Sequence, residues 1–202
     1  MLRTFILTLC IAVMMAPTFA HQSGGVTKLE PGSLATLPNR FPVNLGGPFK
    51  LIDHHGATRT DHDFPGQYLL IFFGYANCKS MCMVGLRRMT EAIEHLGKKG
   101  DAIQPLMITV DPDNDTQQTM REALPKIHPR LLGLTGSSQA LAQAYDAYKM
   151  KPRSIGLDPE GDTVVNHTSY IYLVGLDGKF LTLIPPIIAS ERIAEIILKY
   201  LS

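Results

Sequence analysis

No stretch of this chain is as long and apolar as a membrane-spanning helix, which takes roughly 20 consecutive apolar residues; the best candidate, Phe5 to Met15, falls short. An excess of charge of either sign is also missing. The 19 basic and 18 acidic residues give a formal charge of +1, and without Arg3 the two signs balance, so nothing points to a nucleic-acid partner. There is no phosphate-cradling glycine loop, no Gly-x-Ser-x-Gly elbow and no His-Glu-x-x-His helix, which leaves nucleotide and hydrolase chemistry without support. No internal repeat is visible, so a solenoid or propeller is excluded. Cysteine is scarce, with Cys10, Cys78 and Cys82 making up the full set of 3. That is too few for a closed structural zinc site built on cysteine, which needs four ligands.

What is present begins with an export pattern. Arg3 precedes the apolar stretch, and Pro17-Thr18-Phe19-Ala20 ends in small residues where a signal peptidase reads. Residues 1–20 are therefore expected to be a cleaved signal peptide, with an uncleaved anchor as the alternative. Cys10 leaves with the signal. Residues 21–42, rich in Gly, Pro, Ser and Thr, are expected to be a flexible lead-in. Residues 43–202, with hydrophobic residues at 45% of the whole sequence, suffice for one packed domain.

Cys78 and Cys82 follow directly on the apolar run Leu69-Leu70-Ile71-Phe72-Phe73-Gly74-Tyr75. A buried strand that ends in two thiols presents them where strand gives way to helix, and an i, i+4 spacing puts both on one face. The partial positive charge of a helix N-terminus favours thiolate over thiol, and Lys79 adds to it. Such a pair forms either a disulfide or a soft-metal site. As a staple it would be weak, because so short a loop removes little entropy from the unfolded chain.

The rest of the pattern alternates strand and helix. Phe49 to Asp53 and Arg59 to Phe64 flank His54-His55-Gly56-Ala57 as a hairpin. Tyr68 to Tyr75 is the core strand. Leu86, Met89, Ile93 and Leu96 recur at helical spacing until Gly97. Pro105 to Val110 is a second buried strand, after which Asp115 is expected to cap a helix with Gln118 reaching back. A helix over Ser137 to Tyr148, a hairpin of Ser169 to Val174 with Lys179 to Ile184, and a C-terminal helix carrying Ile193, Ile196, Ile197 and Tyr200 complete the order. This predicts an α/β, thioredoxin-like fold with a central mixed sheet flanked by helices and an N-terminal hairpin extension.

These residues resemble the Sco/SenC family of copper-binding, thioredoxin-like proteins. The resemblance is carried by Ile71-Phe72-Phe73-Gly74-Tyr75 before Cys78-x-x-x-Cys82, Val110-Asp111-Pro112-Asp113-Asn114-Asp115-Thr116, His128-Pro129-Arg130, Gly133-Leu134-Thr135-Gly136, and His167 before Tyr170-Ile171-Tyr172-Leu173. It implies that Cys78, Cys82 and His167 bind one copper ion, as Cu(I) or Cu(II), and that Cys78 and Cys82 form a redox-active disulfide. Thiolate sulfur selects soft Cu(I), and imidazole suits either oxidation state. Two departures stand out. Lys79-Ser80-Met81 replaces the family's Pro-Asp-Val, with Met83 in place of Pro, and Asn166 replaces the Asp that precedes its histidine.

The resemblance further implies a metallochaperone, exported to the periplasm or the outer membrane face, near the membrane through its N-terminus. Its expected partners are a thioredoxin-like reductant and a copper acceptor, the dinuclear copper site of cytochrome c oxidase subunit II. The alternative is a thiol-disulfide oxidoreductase acting through the same pair. Of the other candidates, Met89 and Met107 read as core, and Met81 or Met83 beside Cys82 as core rather than thioether ligands. His54, His55 and His62 with Asp53, Asp61 and Asp63 read as a solvated turn. The run Asp111 to Asp115 lacks the ligand spacing of a calcium loop and reads as a turn.

Overall fold

The computed structural model of the chain describes residues 45–76, 81–159, 161, 163–167 and 170–201. The chain divides into two units, Met1–Phe41 and Pro42–Ser202, and every described residue belongs to the second. The expected signal peptide, the lead-in, Cys10 and Cys78 lie outside the described residues. Among those described, no helix is long and apolar enough to cross a membrane.

A hairpin opens the described chain, pairing β1 (Lys50–Asp53) with β2 (Thr58–Thr60). Its turn is wound around Asp53, whose carboxylate accepts from the His55 and Ala57 N–H groups, each at 2.9 Å, and from Arg59 Nε at 2.7 Å. Burial opposes ionisation of Asp53, but those hydrogen bonds and the Arg59 charge outweigh it and hold the carboxyl below its ordinary value. Half of the expected solvated turn is therefore core. Asp53 and His54 are 0% and 3% exposed, and His54 Nδ1 accepts from the Gly133 N–H at 3.0 Å. Burial, with the neighbouring His55, lowers the His54 pKa. His55 and His62 do face solvent. The second strand is shorter than its sequence suggests, because Asp63 takes both the N–H and the hydroxyl of Thr60 and turns Asp61–Asp63 into a 3-10 turn.

β3 (Tyr68–Gly74) is buried along its whole length, as suits a strand covered on both faces. Its side chains alternate between two layers. Phe72 faces the helix α1 (Met81–His95), where a Cβ on Gly85 would stand 3.1 Å from its ring. Phe73 faces the other way. α1 buries Leu86, Met89 and Ile93, and the chain leaves it through Gly97, whose φ of 55° suits glycine.

β4 (Ile103–Thr109) then pairs parallel to β3 from Tyr68↔Ile103 to Gly74↔Thr109. α2 (Gln117–Ala123) follows, capped by Thr116, whose hydroxyl accepts from the Thr119 N–H at 3.1 Å. The expected cap, Asp115, is instead buried and bonded elsewhere. β5 (Leu132–Thr135) pairs parallel to β4 and antiparallel to β1. α3 (Ser138–Ala147), capped by Ser137, lies on the Phe73 side, with the Tyr145 and Tyr148 rings 6.1 and 5.5 Å from that of Phe73.

β6 (Arg153–Leu157) and β7 (Thr163–Asn166) form a separate two-stranded hairpin. β8 (Ile171–Val174) and β9 (Phe180–Ile184) return antiparallel beside β3, and α4 (Ser190–Leu198) packs on α1. The main sheet runs β2-β1-β5-β4-β3-β8-β9. A mixed sheet with helices on both faces and a hairpin added at one edge is the thioredoxin-like arrangement, as the element order predicted.

Candidate metal and thiol site

Two of the predicted donors, Cys82 and His167, lie near the C-terminal end of β3. Cys82, second residue of α1, is 4% exposed, and its Sγ lies 4.0 Å from the Tyr75 carbonyl oxygen. Gly74 leaves room here for the Phe72 ring. A Cβ there would sit 3.0 Å from the Phe72 ring and 3.9 Å from the Cys82 sulfur. Cys82 is in a disulfide, and its partner sulfur lies outside the described residues.

His167 reaches the same place from another part of the chain. It follows the last residue of β7, and its ring stands edge-on to Phe72 at 6.4 Å and to Tyr75 at 6.3 Å between centroids. The ring is half-buried, with Nδ1 turned away from solvent. Thus Tyr75 meets the sulfur through its backbone carbonyl and the imidazole through its ring. Burial pushes the Tyr75 phenol above its ordinary value, against the Val165 backbone on β7, which favours its ionisation, and the charges of Asp111, Asp158 and Asp115 push it further.

Behind this end of β3 lies a buried carboxylate. Asp115 is 1% exposed and accepts from the Ala76 N–H, with its two oxygens at 3.0 and 3.1 Å, and from the Thr109 hydroxyl at 2.7 Å. Burial raises its pKa to about 6, against the opposing pull of those two hydrogen bonds, while neighbouring Asp111 raises it further. The Tyr145 hydroxyl caps the neighbouring end of β4 by donating to the Thr109 carbonyl at 2.6 Å.

Among the described residues, no three His, Cys, Asp or Glu side chains assemble as a metal site. The acidic run is a turn, as its sequence suggests, with Asn114 Nδ2 donating to Asp111 at 2.9 Å. Met89 and Met107 are core residues, both 0% exposed, while Met83 is half-buried. Cys82 and His167 each lie against Tyr75, the sulfur beside its carbonyl and the imidazole beside its ring, and Cys78 lies outside the described residues. Sequence reasoning missed Phe72 and Tyr75 as the aromatic frame and took Asp115 for a helix cap. It also missed the β6–β7 hairpin that precedes His167, although Thr163-Val164-Val165 is a β-branched run.

A soft donor beside an imidazole, on a rigid strand end, can hold a thiophilic metal or exchange a disulfide. Comparison with known proteins narrows this. The SCO1/SenC family model matches residues 38–202. Protein sco1 of Schizosaccharomyces pombe is 33% identical over 98% of this chain and 76% of its own length. Mitochondrial relatives from vertebrates are longer, and the chain spans 46% to 62% of their length. The copper-bound structure of Bradyrhizobium japonicum ScoI superposes with a TM-score of 0.70 at 34% identity, over 78% of this chain and 99% of that one. BsSco superposes with a TM-score of 0.61 at 25% identity, over 81% of this chain and 97% of that one. It is described as containing a disulfide switch and as a member of the Sco family of cytochrome c oxidase assembly proteins.

Proposed function

Because the chain belongs to the SCO1/SenC family, we propose that it is a copper-binding metallochaperone in cytochrome c oxidase assembly. Cys78, Cys82 and His167 are the copper ligands. The recipient is the dinuclear copper site of cytochrome c oxidase subunit II. The observation that carries this reading is that Tyr75 touches both Cys82, through its carbonyl, and His167, through its ring, since a ligand set drawn from distant segments needs a common frame. Two thiolates favour Cu(I), and the imidazole makes Cu(II) tolerable. A set of only three strong ligands also leaves the metal able to depart. The copper in the Bradyrhizobium relative supports copper as the bound ion.

The partner of Cys82 in its disulfide is Cys78. A disulfide offers no thiolates, so copper loading requires its reduction, by two electrons and two protons from a thioredoxin-like dithiol that is itself oxidised to a disulfide. The protein works after export, in the periplasm or at the outer membrane face. The disulfide on Cys82 also favours a second reading, a thiol-disulfide oxidoreductase that reduces target cysteines.

The two readings separate in one titration. Reduced full-length protein is expected to hold a single copper ion per chain. Cys78→Ser and Cys82→Ser should lose tight binding, and His167→Ala should weaken it and change the copper spectrum without opening the disulfide of the oxidised form. Full copper occupancy in either serine variant would remove the ligand assignment. Catalytic turnover of substrate disulfides without copper would move the chain to the oxidoreductase class.

A further inference from the structure

The end of β3 is held from two sides, and only one of them belongs to the ligands. On one side the Cys82 sulfur lies 4.0 Å from the Tyr75 carbonyl oxygen. On the other, the Asp115 carboxylate takes the N–H of the next residue, Ala76, at 3.0 and 3.1 Å. The Thr109 hydroxyl, donating at 2.7 Å, orients that carboxylate, and Val110 N–H donates to the Gly74 carbonyl at 3.0 Å alongside. A buried carboxylate costs stability even when hydrogen-bonded. The local reason for an acidic residue here is already met, because Thr116 caps α2. The Asp115 oxygens are spent on a backbone N–H 39 residues away in the chain.

We infer that Asp115 is a positioning residue for the thiol pair: by holding Ala76 it fixes the strand end against which the Cys82 sulfur rests, and so favours the closed disulfide over the open dithiol. This rests on the reading that Cys78 and Cys82 form one redox couple. The hold and the disulfide occur together in this structure. Releasing Ala76 frees the backbone that leads into the thiol segment, which costs the closed form its frame and leaves the open form little changed.

The test is the equilibrium of the full-length protein with dithiothreitol, without copper. In that exchange the Cys78–Cys82 bond opens to two thiols as dithiothreitol closes to its cyclic disulfide, so atoms and electrons balance. Asp115→Ala is expected to make the pair about tenfold easier to reduce, about 30 mV for a two-electron couple. Asp115→Asn keeps an acceptor for Ala76 and should stay within about threefold of the parent. Leu141→Ala, in the core of α3, controls for lost stability and should lower the melting temperature without moving the equilibrium. An unmoved equilibrium in a folded Asp115→Ala protein overturns the inference. If that variant does not fold, Thr109→Val, which removes the orienting hydroxyl along with the acceptor it offers the Asp111 N–H, should shift the equilibrium in the same direction, and no shift there overturns it equally. Parent protein that equilibrates normally but takes up no copper sinks the chaperone reading and leaves Asp115 in place. Parent protein with no reducible bond sinks both.

Discussion

At the scale of single residues, Asp115 makes a prediction independent of any metal. Its carboxyl binds a proton more tightly in the folded chain, with a pKa of about 6, than at the ordinary value of 3.8. Between those two pH values the folded state therefore holds more protons than the unfolded one, and the Asp115 contribution to stability falls as pH rises from about 4 to about 6. Asparagine cannot ionise. The stability advantage of Asp115→Asn over the parent should accordingly be small at pH 4 and reach about 3 kcal/mol above pH 7, because each tenfold change in proton affinity is worth about 1.4 kcal/mol. Urea denaturation of both proteins at the two pH values measures this, and an equal gap at both would show that burial does not tax the charge. None of it was legible in the sequence. Asp115 three residues before Gln118 satisfies the pattern of a capping box, and its real partner, Ala76, is distant in the chain. His54 failed for a similar reason. A histidine in a polar turn reads as solvated until β5 places the Gly133 N–H against it.

Elements were far more legible than residues, because hydrophobic period is a local signal and burial enforces it. β3 and α1 followed directly from the run at Leu69 to Tyr75 and the spacing of Leu86, Met89 and Ile93. β5 and β6 escaped, and each has a physical reason. Leu132-Gly133-Leu134-Thr135 is four residues long with a glycine inside, and β6 is exposed along its length, so neither shows an apolar period. The α1–β3 contact also sets a prediction in which two magnitudes compete. Replacing Gly85 by alanine should gain about 1 kcal/mol of helix propensity. Against that, its Cβ would stand 2.8 Å from Pro186 Cβ and 3.1 Å from the Phe72 ring. A proline ring cannot turn aside, and overpacking of this kind costs about 1–3 kcal/mol. Gly85→Ala should therefore lower the urea midpoint, and a raised midpoint would show that α1 can lift from the sheet.

For the whole molecule, the site exists only when the chain is folded. The segment after β7 is remote in sequence from the strand end at Tyr75 and the first turn of α1, and folding of the sheet brings His167 to the residue whose carbonyl Cys82 rests on. Copper bound there must stabilise the folded state by mass action, by about 2.7 kcal/mol at a free concentration one hundred times the dissociation constant. The redox state of the thiols decides whether this linkage operates. Copper should raise the melting temperature of the reduced protein and leave that of the oxidised protein unchanged, because a closed disulfide presents no thiolates. His167→Ala should show a smaller rise than the parent if His167 is, as proposed, one of three ligands. An equal rise in oxidised and reduced protein would place the copper elsewhere on the chain. In that case His167→Ala would leave the rise intact, and the convergence of Cys82 with His167 would have to be explained by thiol chemistry alone.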